Sequence, residues 1–272
     1  TGQGVHIVLN RKFLKGKHAI LIPQTSDGRV LFAVPWKNYV VVGTTDTHVK
    51  NATEEPKAMK NEIEFILKNA GKYMTIKPKK DDIKSVFAGL RPLAVTSDKK
   101  STKEVSRSHK IDISPSGLIS VLGGKWTTYR KIAEDAIDSA ISINKLKKKK
   151  CKTEKIKLFG FKKNVDWSDP MHVYGSLKNK VKSLGSKADN ESLSNKFYIS
   201  NNIIEWAIIH EMAITIEDIL ARRTRCIFLD SKESKRIAPL VAKKMADVLE
   251  KDQKWIDAEL KKFNTLIKNY IV

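Results

Sequence analysis

Four short runs of β-branched and aliphatic residues crowd into the first 42 positions, and they limit the possible fold more than any other feature of the chain. Residues 4–9, 19–22, 30–34 and 39–42 are rich in Val, Ile and Leu, with turn signals between them at Lys15-Gly16, Ser26-Asp27-Gly28 and Trp36-Lys37-Asn38. Parallel strands need a crossover of a dozen or more residues, usually a helix. The gaps here show no helical pattern, so the spacing predicts an antiparallel sheet. Next comes a helix, with Ile63, Ile66, Leu67 and Ala70 on one face and Gly71 near its end. Strand-like runs return at 83–87, 110–113 and 118–122. After them Ala133, Ala136, Ile137, Ala140 and Ile141 repeat with helical spacing.

The tail reads as three amphipathic helices that make a small bundle. Their apolar stripes run from Ile204 to Leu220, from Ile237 to Leu249 and from Ile256 to Ile267. The class expected is therefore α+β: a mostly antiparallel sheet region over 1–142, a linker over 143–170 and a C-terminal helical domain over 171–272. The linker assignment rests on the lysine run at 145–152, a solvated stretch by its charge.

The richest chemistry lies in Gly123-Gly124-Lys125-Trp126-Thr127-Thr128-Tyr129-Arg130, where a strand turns into a helix. Glycines let backbone N–H groups approach a ligand, and a helix start carries partial positive charge. Lys125 and two threonine hydroxyls add to it, so the place suits a negatively charged or electron-accepting group. It is not a nucleotide P-loop. Ile119 stands where that motif needs its first glycine, and Trp126 where it needs Ser or Thr.

Other candidates are single residues. Arg91 follows a strand that ends at Gly89 and precedes Pro92, which biases it to an extended conformation able to clamp a phosphate or carboxylate. Arg107 is a second such cation, with Glu104 as a local partner. His6 sits in an apolar strand, where a histidine serves either as a hydrogen-bonded core group or as a base. Gly43-Thr44-Thr45-Asp46-Thr47 reads as a turn or cap, and Arg222-Arg223-Thr224-Arg225 as cations complementing a helix end. Glu62 and Glu64 offer no catalytic carboxylate pair.

Lys and Arg total 52 against 30 Asp and Glu, a net charge of +22. Such an excess favours acidic partners: nucleic acid, anionic lipid or phosphorylated substrates. The lysines spread along the whole chain, and no aromatic residues interleave with them for base stacking, so nucleic acid is not the expected partner. Cys151 and Cys226 make neither a disulfide framework nor a zinc spacing, no metal is expected, and a reducing, cytoplasmic setting fits. No apolar run approaches 18 residues.

Taken in order, several segments resemble the FAD-dependent glycerol-3-phosphate dehydrogenases. They are Gly4-Val-His-Ile-Val-Leu9, Val34-Pro-Trp36, Val42-Gly-Thr-Thr-Asp46 and Phe87-Ala-Gly-Leu-Arg-Pro-Leu93, then Ser106-Arg107, Gly123-Gly-Lys-Trp-Thr-Thr-Tyr-Arg130 and Glu217-Asp-Ile-Leu-Ala-Arg-Arg-Thr-Arg225. The likeness covers about 4–142 and 200–270. It implies a substrate-domain sheet, the last strand–helix unit of an FAD-binding domain and the family's C-terminal helical domain. It also implies oxidation of sn-glycerol 3-phosphate to dihydroxyacetone phosphate, with electrons passing from FAD to a membrane quinone.

By that resemblance Arg91, Arg107 and Lys125 would hold or polarise the substrate. Gly89, Gly124, Lys125, Trp126 and Thr127 would face the flavin, and His6 would be the base or substrate orienter. A peripheral place on the inner face of the cell membrane follows for a quinone-linked enzyme, with an anionic membrane surface as one contact. A homodimer is a further association compatible with it. One rival reading is an oxidase with the same site that uses oxygen. Another, of a different class, is a basic nucleic-acid or membrane-binding module.

The family's Gly-x-Gly-x-x-Gly turn for the FAD pyrophosphate is absent from this sequence, and the chain opens on Thr1 almost directly in a strand. We therefore expect a C-terminal portion of a longer enzyme, inactive by itself. The 272-residue chain is expected to lose flavin on desalting; flavin absorbance that persists after the column would contradict this.

Overall fold

Strand β1 (Gly2–Asn10) buries side chains on both of its faces, and this decides what must pack around it. Side chains alternate along a strand. Val5, Ile7 and Leu9 join a cluster with Ile66 and Ala70 of helix α1 (Lys60–Ala70). Val8, facing the other way, joins a cluster built mainly from the helical tail. The computed structural model describes residues 2–91 and 109–272.

The remaining strands of this layer are β2 (Ile20–Ile22), β3 (Leu31–Trp36), β4 (Tyr39–Gly43) and β6 (Ile83–Arg91), with the short β5 (Thr47–His48) between β4 and β6 in sequence. Their order is β2-β3-β4-β1, and β6 also pairs with β1. As the short spacings predict, β2–β3, β3–β4 and β1–β4 are all antiparallel. Trp36 pairs with Tyr39 across a two-residue Lys37-Asn38 turn, with Lys37 at φ 54°. Register then carries the burial code from β1 into β4: Val40 and Val42 join the α1 side, Tyr39 and Val41 the tail side.

The tail comprises α3 (Lys178–Lys182), α4 (Asn201–Glu211), a π-helical stretch (Asp218–Arg223), α5 (Cys226–Leu229), α6 (Ser231–Leu249) and α7 (Gln253–Leu266). The stripe from Ile204 to Leu220 predicts one continuous helix, and the structure corrects this. Helix α4 stops at Glu211, and Met212 turns left-handed at φ 58°. The cause is a reciprocal cap. The Asp218 carboxylate accepts from the Thr215 N–H and hydroxyl, at 3.0 and 2.8 Å, while the Thr215 hydroxyl accepts from the Asp218 N–H at 3.1 Å. That Thr-x-x-Asp box starts a new helix.

The tail is tied to β6 by polar bonds as well as apolar packing. Ser85 Oγ donates to the Ile227 carbonyl at 2.7 Å, Ser231 Oγ to the Lys84 carbonyl at 2.9 Å, and the Val86 N–H to the Tyr270 carbonyl at 3.0 Å. Sheet, α1 and tail accordingly form one compact unit (Gln3–Asp46, Thr53–Gly89 and Lys162–Val272). The sequence expectation of a sheet region over 1–142 set apart from a helical domain over 171–272 by a linker differs from this grouping.

The second unit lies mainly within Leu90–Phe161. There β7 (His109–Ile113) pairs antiparallel with β8 (Ile119–Gly123). Helix α2 (Tyr129–Ile143) follows and has no fully buried residue. Among the described residues, no helix is long and apolar enough to cross a membrane.

Cys226 is buried in the tail core, and burial pushes its thiol from 9.0 up to about 12. Between those two values the unfolded chain loses this proton first, so stability falls as pH rises, by about 1.4 kcal/mol per unit. Denaturation midpoints should drop across that window, and less steeply in Cys226→Ala. Iodoacetamide at pH near neutral should label half-buried Cys151 and spare Cys226, as mass spectrometry of the native protein would show.

Candidate active site

His6 is held by shape. It pairs across the sheet with Gly43 of β4, and a Cβ added to Gly43 would lie 2.3 Å from His6 Cδ2. The imidazole therefore packs directly against the bare glycine backbone. Phe87 of β6 stacks on the imidazole with centroids 5.1 Å apart and planes at 15°. Phe87 meets Phe228 edge-on at 5.2 Å, and Phe228 meets Tyr270 at 5.7 Å, so a run of aromatic rings links the histidine to the tail. His6 is half-buried and fixed in orientation, a suitable state for a group that must meet a substrate hydroxyl in one pose.

The Gly43-Thr44-Thr45-Asp46-Thr47 segment leaves the sheet beside this histidine. Thr45 is 1% exposed, accepts from the Val5 N–H at 3.0 Å and donates to Glu62 at 2.9 Å. A structural turn is thus what the hydroxyls build here. Gly89, further along β6, is exposed, and a Cβ there would meet nothing within 4 Å.

The other described candidates belong to the second unit. Arg91 ends β6, half-buried and engaged within the fold. Arg107 lies outside the described residues. Gly123 and Gly124 adopt φ 72° and 91°, values that favour glycine. A side chain on Gly124 would collide with Ile132 Cδ1 at 2.6 Å. Lys125 precedes a 3₁₀ turn, Trp126–Thr128, that leads into α2. Its carbonyl accepts from both the N–H and the hydroxyl of Thr128, each at 3.0 Å.

Among the described residues, the N–H groups of Trp126 and Thr127 have no acceptor. Trp126 is 86% exposed and stacks on Tyr129 at 5.5 Å. An exposed lysine beside two open backbone donors is a ready seat for negative charge. Arg130 of the same motif is not part of that seat; it pairs with Glu134 at 2.6 Å.

Arg222 bonds Glu217 and Asp218 at 2.6 and 3.0 Å, and Arg223 donates to the Glu211 carbonyl. Arg223 braces the corner between α4 and the π-helical stretch, and Arg222 pairs within its own stretch, as helix-end cations would. Two residues beside His6, Gly43 and Phe87, were not singled out by the sequence. Gly43 and Phe87 were visible only as parts of longer motifs.

Comparison with known proteins completes the picture. Residues 1–130 match the FAD dependent oxidoreductase profile, and 121–256 match the C-terminal domain of alpha-glycerophosphate oxidase. The chain belongs to the FAD-dependent glycerol-3-phosphate dehydrogenase family. It is 32% identical over 283 residues to the mitochondrial glycerol-3-phosphate dehydrogenase of Mesocricetus auratus, covering 94% of this chain and 38% of that protein. The enzyme of the same name from Saccharomyces cerevisiae is 32% identical over 319 residues, covering 98% and 49%. The chain thus spans less than half the length of these two relatives. The solved glycerol-3-phosphate dehydrogenase from Bacillus halodurans, complexed with FAD, shares the fold at a TM-score of 0.80 and 24% identity, over 100% of this chain and 57% of that one.

The packing of His6 against Gly43 makes a direct prediction. Gly43→Ala should destabilise the protein by about 1–3 kcal/mol through overpacking. In a His6→Ala background most of that cost should vanish. A double-mutant cycle by urea denaturation measures the difference.

Proposed function

We propose that this chain supplies the substrate-binding part, and some of the flavin contacts, of an FAD-dependent enzyme. That enzyme oxidises sn-glycerol 3-phosphate to dihydroxyacetone phosphate and passes the electrons to a membrane quinone. The observation that carries the reading is the turn at Gly123–Thr128: two left-handed glycines, an exposed lysine and two open N–H donors at a helix start. Bound FAD would supply the hydride acceptor. Gly124 keeps the turn close to its own helix, while Lys125 and the Trp126 and Thr127 N–H groups would stabilise negative charge at the carbonyl edge of the ring. Gly89, lacking a side chain, would leave room for the cofactor.

Arg91 and Arg107 would hold the substrate phosphate, since a guanidinium matches a phosphate bidentately. His6, fixed by Gly43 and Phe87, would accept the proton of the substrate's secondary hydroxyl as the hydride leaves carbon two. The pyrophosphate of FAD would rest on residues outside this chain. Quinone as acceptor calls for a peripheral place at the cytoplasmic face of the cell membrane, where the net charge of +22 would favour an anionic leaflet. Oxygen is the competing acceptor, supported by the oxidase named in the matching C-terminal profile.

The test is anaerobic bleaching of bound flavin by glycerol 3-phosphate in the enzyme that contains this chain; unchanged absorbance with FAD bound and the fold intact would remove the substrate assignment. Hydrogen peroxide formed without quinone would replace quinone by oxygen. Arg91→Ala should lower kcat/KM about 10²–10³-fold, the cost of stripping the partner from a bound phosphate. Turnover near the wild-type level would take Arg91 out of the site.

A further inference from the structure

Glu62 is a helix-capping residue by position but not by burial. It is the third residue of α1, where a glutamate commonly reaches back to the cap. Its Oε2 does accept from the Met59 N–H, at 2.9 Å. An ordinary capping carboxylate is solvated; this one is 3% exposed. It also collects two donors from distant parts of the chain. Gln3 Nε2 donates to Oε2 at 2.8 Å, and Thr45 Oγ1 donates to Oε1 at 2.9 Å.

Both of those donors are pinned in turn. Gln3 Nε2 also donates to the Lys57 carbonyl at 2.9 Å. Thr45 Oγ1 accepts from the Val5 N–H at 3.0 Å, and the Thr45 N–H reaches the Val5 carbonyl at 3.4 Å. The hydroxyl accepts from the Val5 N–H and donates to Glu62. The chain runs from the Val5 N–H through Thr45 to Glu62, which accepts at its end.

The network closes the sheet where the regular β1–β4 ladder runs out. That ladder pairs Asn10 with Tyr39 at one end and His6 with Gly43 at the other. Beyond His6 the two strands are joined through Thr45 instead. Glu62 thus holds the residues on both sides of the pair that confines the imidazole: Gln3 and Val5 before His6, Thr45 after Gly43. A buried carboxylate is costly unless its bonds are met, so the donors from Met59, Gln3 and Thr45 are bound to it as a unit.

We propose that Glu62, acting through Thr45 and Gln3, is the positioning residue for His6. It sets where the imidazole stands over Gly43 rather than touching substrate. The catalytic consequence rests on the reading of His6 as the proton acceptor; the geometric one does not.

The experiment uses Glu62→Gln and Thr45→Val, singly and combined. A glutamine amide presents N–H groups where the chain ends on an acceptor, and valine removes the hydroxyl while keeping the shape. The first readout is the His6 ring resonance in histidine-labelled protein, assigned with His6→Gln. The second is kcat/KM and kcat for glycerol 3-phosphate in the flavin-loaded enzyme. Each single variant should shift the His6 resonance and lower kcat about 10–10²-fold with KM little changed, the size expected for a misplaced reacting group. The double variant should cost no more than the worse single.

A His6 resonance unmoved in both variants, with only the melting temperature lowered, would reduce Glu62 to a buried cap and overturn the proposal. Should Glu62→Gln fail to fold, Thr45→Val decides alone on the same two readouts. If the wild-type enzyme does not act on glycerol 3-phosphate, the functional reading fails, and the His6 resonance still decides the positioning.

Discussion

Burial of β1 on both faces is the constraint on which the larger unit depends. Val5, Ile7, Val8 and Leu9 are all fully removed from solvent, worth about 1.5–3 kcal/mol each. One side is closed by α1 and the other by the tail, so neither cover can be removed without exposing half of the strand. This explains why the tail behaves as part of the sheet's unit. Its α5–α6 corner and its C-terminal segment both bond to β6, and Phe228 and Tyr270 extend the aromatic run that begins at His6.

The candidate groups of the two units are placed in different ways. His6 is confined by close packing: a missing side chain at Gly43, a ring from Phe87, and a polar network that ends the strand ladder. The glycine turn of the second unit does the reverse. Lys125, Trp126 and Thr127 are exposed, and among the described residues nothing accepts from the backbone donors of Trp126 and Thr127. A rigid group suits proton transfer, where angle and distance decide the rate. Open donors at a helix start suit charge on an incoming group.

Most of the fold was legible because its signals are local. Strand spacing gave the antiparallel meander, and the apolar periodicity of Lys60–Ala70 and Tyr129–Ile143 gave α1 and α2. The break between α4 and the π-helical stretch was missed because an apolar stripe continued through it. The Thr215-x-x-Asp218 box that causes the break was nevertheless present in the sequence. For Glu62 the sequence excluded only a catalytic carboxylate pair with Glu64, since its partners Gln3 and Thr45 lie 59 and 17 residues away and no periodicity links them. The stack of Phe87 on His6 was hidden for the same reason.

The sequence by itself determined which segments become strands and helices, and placed the Gly123-Gly124-Lys125 turn between a strand and a helix. Those outcomes follow from side-chain period, turn residues and backbone freedom, all of which act over a few neighbours. Only the tertiary structure decided that the tail closes the sheet, that the Glu62 carboxylate ends a buried hydrogen-bond chain, and that His6 packs against a bare glycine backbone. Each of these depends on which distant segments meet, and that is set by the mutual exclusion of water from surfaces far apart in the chain.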